Sequence, residues 1–267
     1  RQGAMDRSRA NDDPAWGEPV EQLAKAIQNC SRCRLAGTRT NALCGEGDPE
    51  ARLMLIGQAP GEKEDRQGRM FIGAAGSVLD EMLDAAGLAR DGLYMTNLVK
   101  CMPPANRPPA RDEVSACLPY LEKEIEMLDP RILVPLGFQA ASRLFLQYGL
   151  DPPAEGKFSG VCGRLFWSGQ KKLFPVYHPA AALHNPALKA DLLRHFRKIP
   201  VLLTTCKWFR LCPMRRFYRA NRLDPSWIEL YCKGDWQSCV RYQMEEKGAP
   251  HPDTMLPDGS IDPALER

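Results

Sequence analysis

The chain has 267 residues and a formal net charge of +3, with 44% hydrophobic and 26% charged residues. These values are ordinary for a globular protein of one or two domains. No run of about 18 apolar residues is present, so a membrane-spanning helix is not expected, and the start shows no apolar core of a signal peptide. We therefore expect a cytoplasmic protein in a prokaryotic cell with no membrane association. The small positive charge permits a polyanionic partner without requiring one.

Ten cysteines are many for a chain with no sign of export. In a reducing cytoplasm such thiols are not expected to form disulfides, and metal or cluster ligation is their usual alternative. Cys30 and Cys33 form a Cys-x2-Cys pair at the end of a helix predicted over 19–29. This spacing is typical of half a four-thiolate site, and equally of a redox dithiol. Cys44 and Cys162 are interpreted as isolated buried thiols.

Short apolar strands alternate with helices through the middle of the chain, and a hairpin is predicted around Ser168 and Gly169. This alternation is typical of a parallel α/β sheet. Residues 1–16 are polar and are predicted to be disordered. The predicted strands cover 53–56, 93–98, 131–136 and 173–177, and the predicted helices cover 77–86, 113–128, 138–145 and 187–198.

The segment 94–117 joins a strand, a Pro-rich loop and a helix. Prolines stop regular structure in the loop, and Asp112 is predicted to cap the helix that follows. Cys101 and Cys117 stand at the two ends of the loop. On these residues alone, a functional site and a rigid surface connection with two buried cysteines are both consistent interpretations.

Polar residues follow three of the predicted strands. Gln58 lies in a Gly-Pro turn, Asn97 ends the second strand, and His178 ends the last strand and precedes a proline. Ligands of parallel α/β sheets bind beyond the carboxyl ends of the strands. Each residue also has a structural interpretation, such as a turn asparagine or a turn histidine, but their convergence favours a binding site.

Three segments stand out together with four of the cysteines: GQAPGEKEDRQGRMFIG (57–73), YMTNLVKCMPPANRPP (94–109) and FPVYHPAAAL (174–183). These segments, with Cys30, Cys33, Cys101 and Cys117, resemble the uracil-DNA glycosylase superfamily, and specifically its iron–sulfur group, family 4. The resemblance implies a three-layer α/β/α fold with a central, mostly parallel four-stranded sheet. It also implies a [4Fe–4S] cluster held by those four cysteines, with a structural role.

The resemblance implies a hydrolase that flips uracil out of DNA and cleaves its N-glycosidic bond, leaving an abasic site for base excision repair. Asn97 would read the edge of the base, since its amide can both accept from N3–H and donate to O4. Phe71 would stack on the base; without the resemblance it is interpreted as a core aromatic. His178 would stabilise negative charge on uracil O2.

The turn of Gly57, Gln58 and Ala59 would add backbone donors to this site. Asn106 is the candidate for positioning water, with Glu64 or Asp65 behind it. The chain departs from the family at Gln58, where the iron–sulfur group usually has Glu.

In the best-known branch of the superfamily, an Asp that activates water occupies the position of Ala59, so that carboxylate is absent here. Because of Gln58, a non-catalytic DNA- or uracil-binding module remains an alternative. A cluster-containing redox protein is a third interpretation.

Basic and apolar residues are candidates for contacts with single- or double-stranded DNA containing uracil. Arg107 and Lys189 are candidate phosphate ligands, and Leu183 is a candidate wedge for the space left by the flipped base. A solvated basic face is the alternative interpretation of the helix that carries Lys189. We expect the protein to be a monomer.

The composition changes near residue 204, which suggests three parts: residues 1–16, a catalytic domain over 17–200, and a mostly helical extension over 201–267. The extension is dense in aromatic residues, arginines and cysteines. Cys206, Cys212, Cys232 and Cys239 are separated by 5, 19 and 6 residues, which matches no standard zinc-ribbon spacing. They are a candidate second site for a cluster or zinc, and buried thiols in a docked helical extension are the alternative.

Overall fold

The computed structural model divides the chain into two compact units, with the boundary between Phe196 and Arg197. The predicted disorder of residues 1–16 lies outside the described residues. The structure does not describe the side chains of Glu18, Trp167 and His184. The structure describes residues 18–168, 171–203, 206, 208–209, 211–234, 236 and 238–266.

The first unit is built on one six-stranded sheet in the order β1-β3-β2-β4-β6-β5. The four central strands are parallel, as predicted, and the short edge strands β1 and β5 run antiparallel to their neighbours. The predicted hairpin is confirmed as the β5–β6 pair. The strands are β1 (Glu46–Gly47), β2 (Leu53–Gly57), β3 (Tyr94–Asn97), β4 (Ile132–Pro135), β5 (Phe166–Ser168) and β6 (Lys171–Leu173).

Within the described part of this unit, seven α-helices accompany the sheet and confirm the predicted alternation of strand and helix. The charged segment after β2, which the sequence left unassigned, forms a short helix. The helices are α1 (Glu18–Gln28), α2 (Glu62–Gln67), α3 (Ala74–Ala86), α4 (Arg111–Leu128), α5 (Phe138–Gln147), α6 (Pro179–His184) and α7 (Pro186–Phe196).

Both faces of the sheet are buried. Met54 and Ile56 of β2 join a core that also contains residues of α1, α4 and α5. Leu53 and Leu55 alternate with them and so point to the other face, where they are at most 2% exposed. Helices α3, α6 and α7 contact one another and form a second helical group. Buried on both faces, the parallel strands contain continuous apolar runs rather than alternating ones.

Two local predictions were wrong. Asp112 does not cap α4: the N-cap is Ala110, whose backbone N–H donates to the Glu113 carboxylate at 2.7 Å. Asp112 instead pairs with Arg34. The last parallel strand ends at Leu173 rather than Tyr177, and only an isolated parallel bridge between Val176 and Leu136 continues it.

The second unit is mostly helical, as predicted. Its core contains Met214, Phe217 and Ile228, all buried. Among the described residues, no helix combines the length and the apolar character needed to cross a bilayer. The helices are α8 (Ile199–Leu203), α9 (Pro213–Arg219), α10 (Pro225–Trp227) with a π-helical turn (Ile228–Cys232), and α11 (Val240–Glu246).

Candidate active site

A cleft of about 480 Å³ opens at the carboxyl ends of the parallel strands. This volume suits a small planar ligand. The parallel register sets Gly57 at the end of β2 opposite Asn97 at the end of β3. Asn97 and the turn that follows Gly57 line the cleft, whereas Gly57 itself does not. The structure thus brings together the predicted residues of all three motifs. The predicted site residues that line the cleft are Gln58, Ala59, Phe71, Asn97, Asn106, Arg107, His178 and Leu183.

Asn97 is held against the backbone of β2. It is only 4% exposed, and its side-chain nitrogen lies 3.7 Å from the sulfur of Met70, which is a weak acceptor. A Cβ on Gly57 would lie 2.3 Å from Asn97 Oδ1 and 2.9 Å from Phe71 Cζ. Gly57 is therefore needed at this position, because its missing side chain makes room for both groups.

We expect Gly57→Ala to slow the reaction at this site about a hundredfold without unfolding the protein, because both displaced groups belong to the site. Gly92→Ala is the matched control, since a Cβ there meets no atom within 4 Å. Release of uracil from DNA is the activity to measure, and far-ultraviolet circular dichroism reports on the fold. Equal activity of the two variants would contradict this account of Gly57.

His178 caps α6 and is neutral. Its backbone is extended at φ −65° and ψ 137°, as the following proline predicts, and its Nδ1 accepts from the Ala180 backbone N–H at 3.2 Å. That bond leaves the ring proton on Nε2. Burial lowers the His178 pKa to about 4, although Glu64 opposes the shift. Near neutral pH the site therefore contains an uncharged imidazole with an N–H donor.

Phe71 has a strained backbone that its neighbours stabilise. Its φ is +50°, in the left-handed region that non-glycine residues rarely adopt. The buried Glu64 carboxylate accepts from the backbone N–H groups of Ile72 and Gly73 at 2.9 and 2.7 Å, which fixes the loop. The ring centroids of Phe71 and His178 are 6.4 Å apart. Strain of this kind persists only where the surroundings over-determine it, as they do here.

Asp65 has a different role from the predicted one. It accepts hydrogen bonds from the backbone N–H groups of Thr40 and Asn41 at 2.9–3.2 Å and so stabilises that loop. Of the two acidic residues predicted to stand behind Asn106, Glu64 lines the cleft.

A buried ion pair lies behind Asn97, and the sequence analysis missed it. Lys100 Nζ contacts Glu124 Oε2 and Thr96 Oγ1, both at 2.5 Å, and donates to the Asn97 backbone oxygen at 3.0 Å. The side chains of Lys100 and Glu124 are each 2% exposed. The one feature of the sequence that could have indicated this pair was a lysine directly after an apolar strand. The pair ties the end of β3 to α4.

Four predicted ligands lie near one another. Cys101 and Cys117 are buried, and Cys30 and Cys33 pack against the same core. Burial raises the pKa of Cys101, and nearby Cys33 and Cys30 raise it further. Burial also raises the pKa of Cys117 to about 11, and Cys101 and Cys30 add to the rise.

The surroundings of these thiols suit anionic sulfur. Arg39 Nη1 donates to Cys101 Sγ at 3.2 Å, and the Lys100 backbone N–H donates to Cys117 Sγ at 3.2 Å. In the part of the chain that the structure describes, no group of three or more His, Cys, Asp or Glu is placed to hold a metal ion. Four cysteine thiolates are the donor set that an iron–sulfur cluster takes.

The candidate DNA contacts differ in their surroundings. The Arg107 guanidinium donates to the Glu113 carboxylate at 2.6 and 2.8 Å, and Arg34 donates to the same carboxylate. These contacts lower the Glu113 pKa to about 2. Lys189 pairs with Glu81 at 2.8 Å. Leu183 is 46% exposed at the rim of the cleft.

Comparison with known proteins agrees with this geometry. The family model described as the uracil DNA glycosylase superfamily matches residues 44–199. The chain belongs to that superfamily. The superfamily resemblance inferred from the sequence is thereby confirmed, and the type-4 relatives below confirm its family 4 group.

The chain is similar to curated glycosylases from archaea and bacteria. A type-4 uracil-DNA glycosylase of Sulfurisphaera tokodaii is 41% identical over 73% of this chain and 89% of its own. The type-4 uracil-DNA glycosylase of Saccharolobus solfataricus is 42% identical over 70% of this chain and 87% of its own length. The type-4 uracil-DNA glycosylase of Thermotoga maritima is 37% identical over 63% of this chain and 85% of its own length. The superfamily match ends at residue 199, so it leaves most of the second unit outside.

Proposed function

We propose that this protein is a monofunctional uracil-DNA glycosylase that acts in base excision repair. The observation that carries the proposal is the convergence of Asn97, His178 and Phe71 on one cleft in a chain of this superfamily. The reaction transfers the hydroxyl of water to C1′ of the sugar and its proton to the departing uracil. The base must first leave the stack, at a cost of about a few kcal/mol.

The buried amide of Asn97 supports recognition of uracil. Uracil offers an N3–H donor and an O4 acceptor, which the amide oxygen and nitrogen complement. Cytosine reverses both features, and each buried group left unpaired costs about 1–3 kcal/mol. The weak contact with the Met70 sulfur leaves the amide nitrogen available to a stronger acceptor. Phe71 would add about 1–3 kcal/mol by stacking on the base.

The neutral His178 supports cleavage of the bond. As the bond breaks, the sugar becomes positive and the base becomes negative. The Nε2–H of His178 would donate to uracil O2 and stabilise that negative charge, with no proton transfer required. Turn amides near Gln58 and Ala59 are further donors, and Asn106, which is exposed at the cleft, would position the water.

Hydrolysis here does not need the carboxylate of the best-known branch. The cationic sugar needs only a positioned water, so Ala59 and Gln58 are compatible with the reaction. In the same proposal Leu183 fills the gap left by the base. Arg107 and Lys189 contact DNA phosphates. To do so, each gives up part of its bonding to a carboxylate, Glu113 for Arg107 and Glu81 for Lys189.

The resident cofactor in this proposal is a [4Fe–4S] cluster on Cys30, Cys33, Cys101 and Cys117. It would join the end of α1, the Pro-rich loop and α4 into one rigid part, and it supplies no chemical step. We also propose that the enzyme works as a monomer in the prokaryotic cytoplasm, where its DNA substrate lies.

The decisive experiment uses single- and double-stranded DNA with one uracil, followed by alkali to cut abasic sites. We expect strand cuts at the uracil and none in matched DNA with thymine or cytosine at that position. A gel shift without cuts would replace this proposal by the binding-module alternative. Reversible bleaching of visible absorbance by dithionite, without any DNA activity, would favour the redox alternative.

The pH dependence tests the protonation state of His178. Because its pKa is lowered to about 4, the imidazole is neutral above about pH 5. Protonation of Nδ1 would also break the hydrogen bond that this atom accepts from the Ala180 backbone N–H. We expect single-turnover uracil release to stay flat from about pH 8 to pH 5 and to fall as the pH drops through about 4. A break near the ordinary imidazole pKa of about 6.5 would contradict a neutral, buried donor.

A further inference from the structure

The second unit contains a partly open cavity that the proposed reaction does not use. Its volume is about 60 Å³, several times the space that one buried water needs. All four cysteines of this unit line it: Cys206, Cys212, Cys232 and Cys239. Because 5, 19 and 6 other residues lie between successive cysteines of this set, only the folding of the unit brings them together.

The backbone connects the parts that carry these thiols. The Cys206 backbone N–H donates to the Cys232 backbone oxygen at 2.7 Å, and the Cys212 backbone N–H donates to the Trp208 oxygen at 2.8 Å. Cys232 and Cys239 are 4% and 6% exposed. The four thiols thus line one cavity, two of them buried and two partly exposed.

A buried cation beside the cavity indicates that negative charge belongs there. Arg241 is 2% exposed and lines the cavity, and its Nη1 donates to the backbone oxygens of Pro252, Asp253 and Met255. Its Nε and Nη2 have no hydrogen-bond partner among the described residues. A buried guanidinium is costly without a counter-charge. Four neutral thiols supply none, and the Glu245 carboxylate that also lines the cavity pairs with His251 at 3.1 Å. Four thiolates on a metal centre carry net negative charge.

Two kinds of centre take four thiolates. A single zinc ion holds its sulfurs about 2.3 Å from the metal, so the four sulfurs would have to close on one point. Here the four cysteines instead line a cavity of about 60 Å³. An iron–sulfur cluster places iron and sulfide between the cysteines and so needs wider spacing around a central space. The surrounding aromatic side chains of Trp208, Phe209 and Trp236 would shield such a centre from water.

We propose that Cys206, Cys212, Cys232 and Cys239 ligate a second [4Fe–4S] cluster, with the Arg241 guanidinium as its buried counter-charge. The cluster would stabilise a unit of about 70 residues whose own apolar core is small. Each thiol loses its proton on ligation, and no change of oxidation state is required. This inference goes beyond the proposed glycosylase activity, because the superfamily match ends at residue 199.

The test is metal analysis of the full chain, purified without oxygen. We expect about eight iron atoms and eight sulfide ions per chain, which is two clusters. About four iron atoms without zinc would overturn the second centre. About four iron atoms with one zinc ion would overturn its assignment as an iron–sulfur cluster. The count in the unmodified chain decides between these outcomes even if variants fold poorly.

Matched variants assign the clusters to their ligands. Cys232→Ser with Cys239→Ser is expected to reduce iron to about four atoms per chain, and Cys30→Ser with Cys33→Ser to do the same. Cys162→Ser, a buried thiol outside both sets, is the control and should retain about eight. Iron that stays near eight in the Cys232/Cys239 variant would overturn the assignment. Uracil release, measured separately, reports on the proposed function alone.

Discussion

Replacing His178 with alanine is expected to slow uracil release about a hundredfold, the usual effect of removing one donor to a developing oxyanion. The change also removes the acceptor for the Ala180 backbone N–H at the start of α6, which costs about 1 kcal/mol of stability. Single-turnover release at pH 7 is the measurement. The prediction is that DNA affinity changes much less than the rate, because the donor acts mainly when charge develops.

His178→Asn separates the two roles of this residue. Asparagine is a good N-cap and restores an acceptor for the Ala180 amide, but its shorter side chain does not extend as far as imidazole Nε2. We expect His178→Asn to recover the thermal stability lost in His178→Ala while release stays slow. Recovery of both stability and rate would mean that His178 acts only as a helix cap.

Replacing Lys100 with methionine is expected to cost about 3–5 kcal/mol of stability, because it leaves the Glu124 carboxylate buried without its cation. For a unit of this size, that loss lowers the thermal midpoint by about 10 °C. Circular dichroism at a fixed scan rate is the measurement, on protein with equal iron content. Because Lys100 Nζ also holds the Asn97 backbone oxygen, uracil release should fall as well.

The double variant Lys100→Met with Glu124→Gln is the matched control. Glutamine removes the unpaired charge and keeps a side-chain oxygen as acceptor for the Gly45 backbone N–H, which donates to Glu124 at 2.9 Å. We expect the double variant to be more stable than Lys100→Met alone. If the two variants unfolded at the same temperature, the loss would come from packing around Lys100 rather than from the buried charge.

The two cysteine sets show how far spacing alone can be interpreted. The first set was assigned because its spacing accompanies three recognisable motifs. The second set has no standard spacing, and the sequence left cluster, zinc and buried thiols as alternatives. Its convergence on one cavity beside Arg241 became visible only in the fold, since the separations within the set are long and irregular.

The alternation of strands and helices, the parallel sheet and the positions of Gln58 and Asn97 after strands could all be predicted from the sequence. These features depend on local periodicity, on proline and glycine, and on short motifs. His178 lies beyond the end of its strand at Leu173 and caps a helix instead. The wrong cap at Asp112 shows the limit. Asp is a preferred N-cap residue by sequence, but in the fold Asp112 pairs with Arg34, and Glu113 pairs with Arg34 and Arg107.

The pairing of charges became visible only in the folded protein. Glu113 joins Arg34 across 79 positions, and Lys189 joins the distant Glu81. The same holds for the buried pair of Lys100 with Glu124 and for the strained backbone of Phe71. The physical reason is that the energy of a charge or a strained residue depends on what surrounds it in space. Neighbours in the chain do not specify those surroundings until the sheet and its helices have assembled.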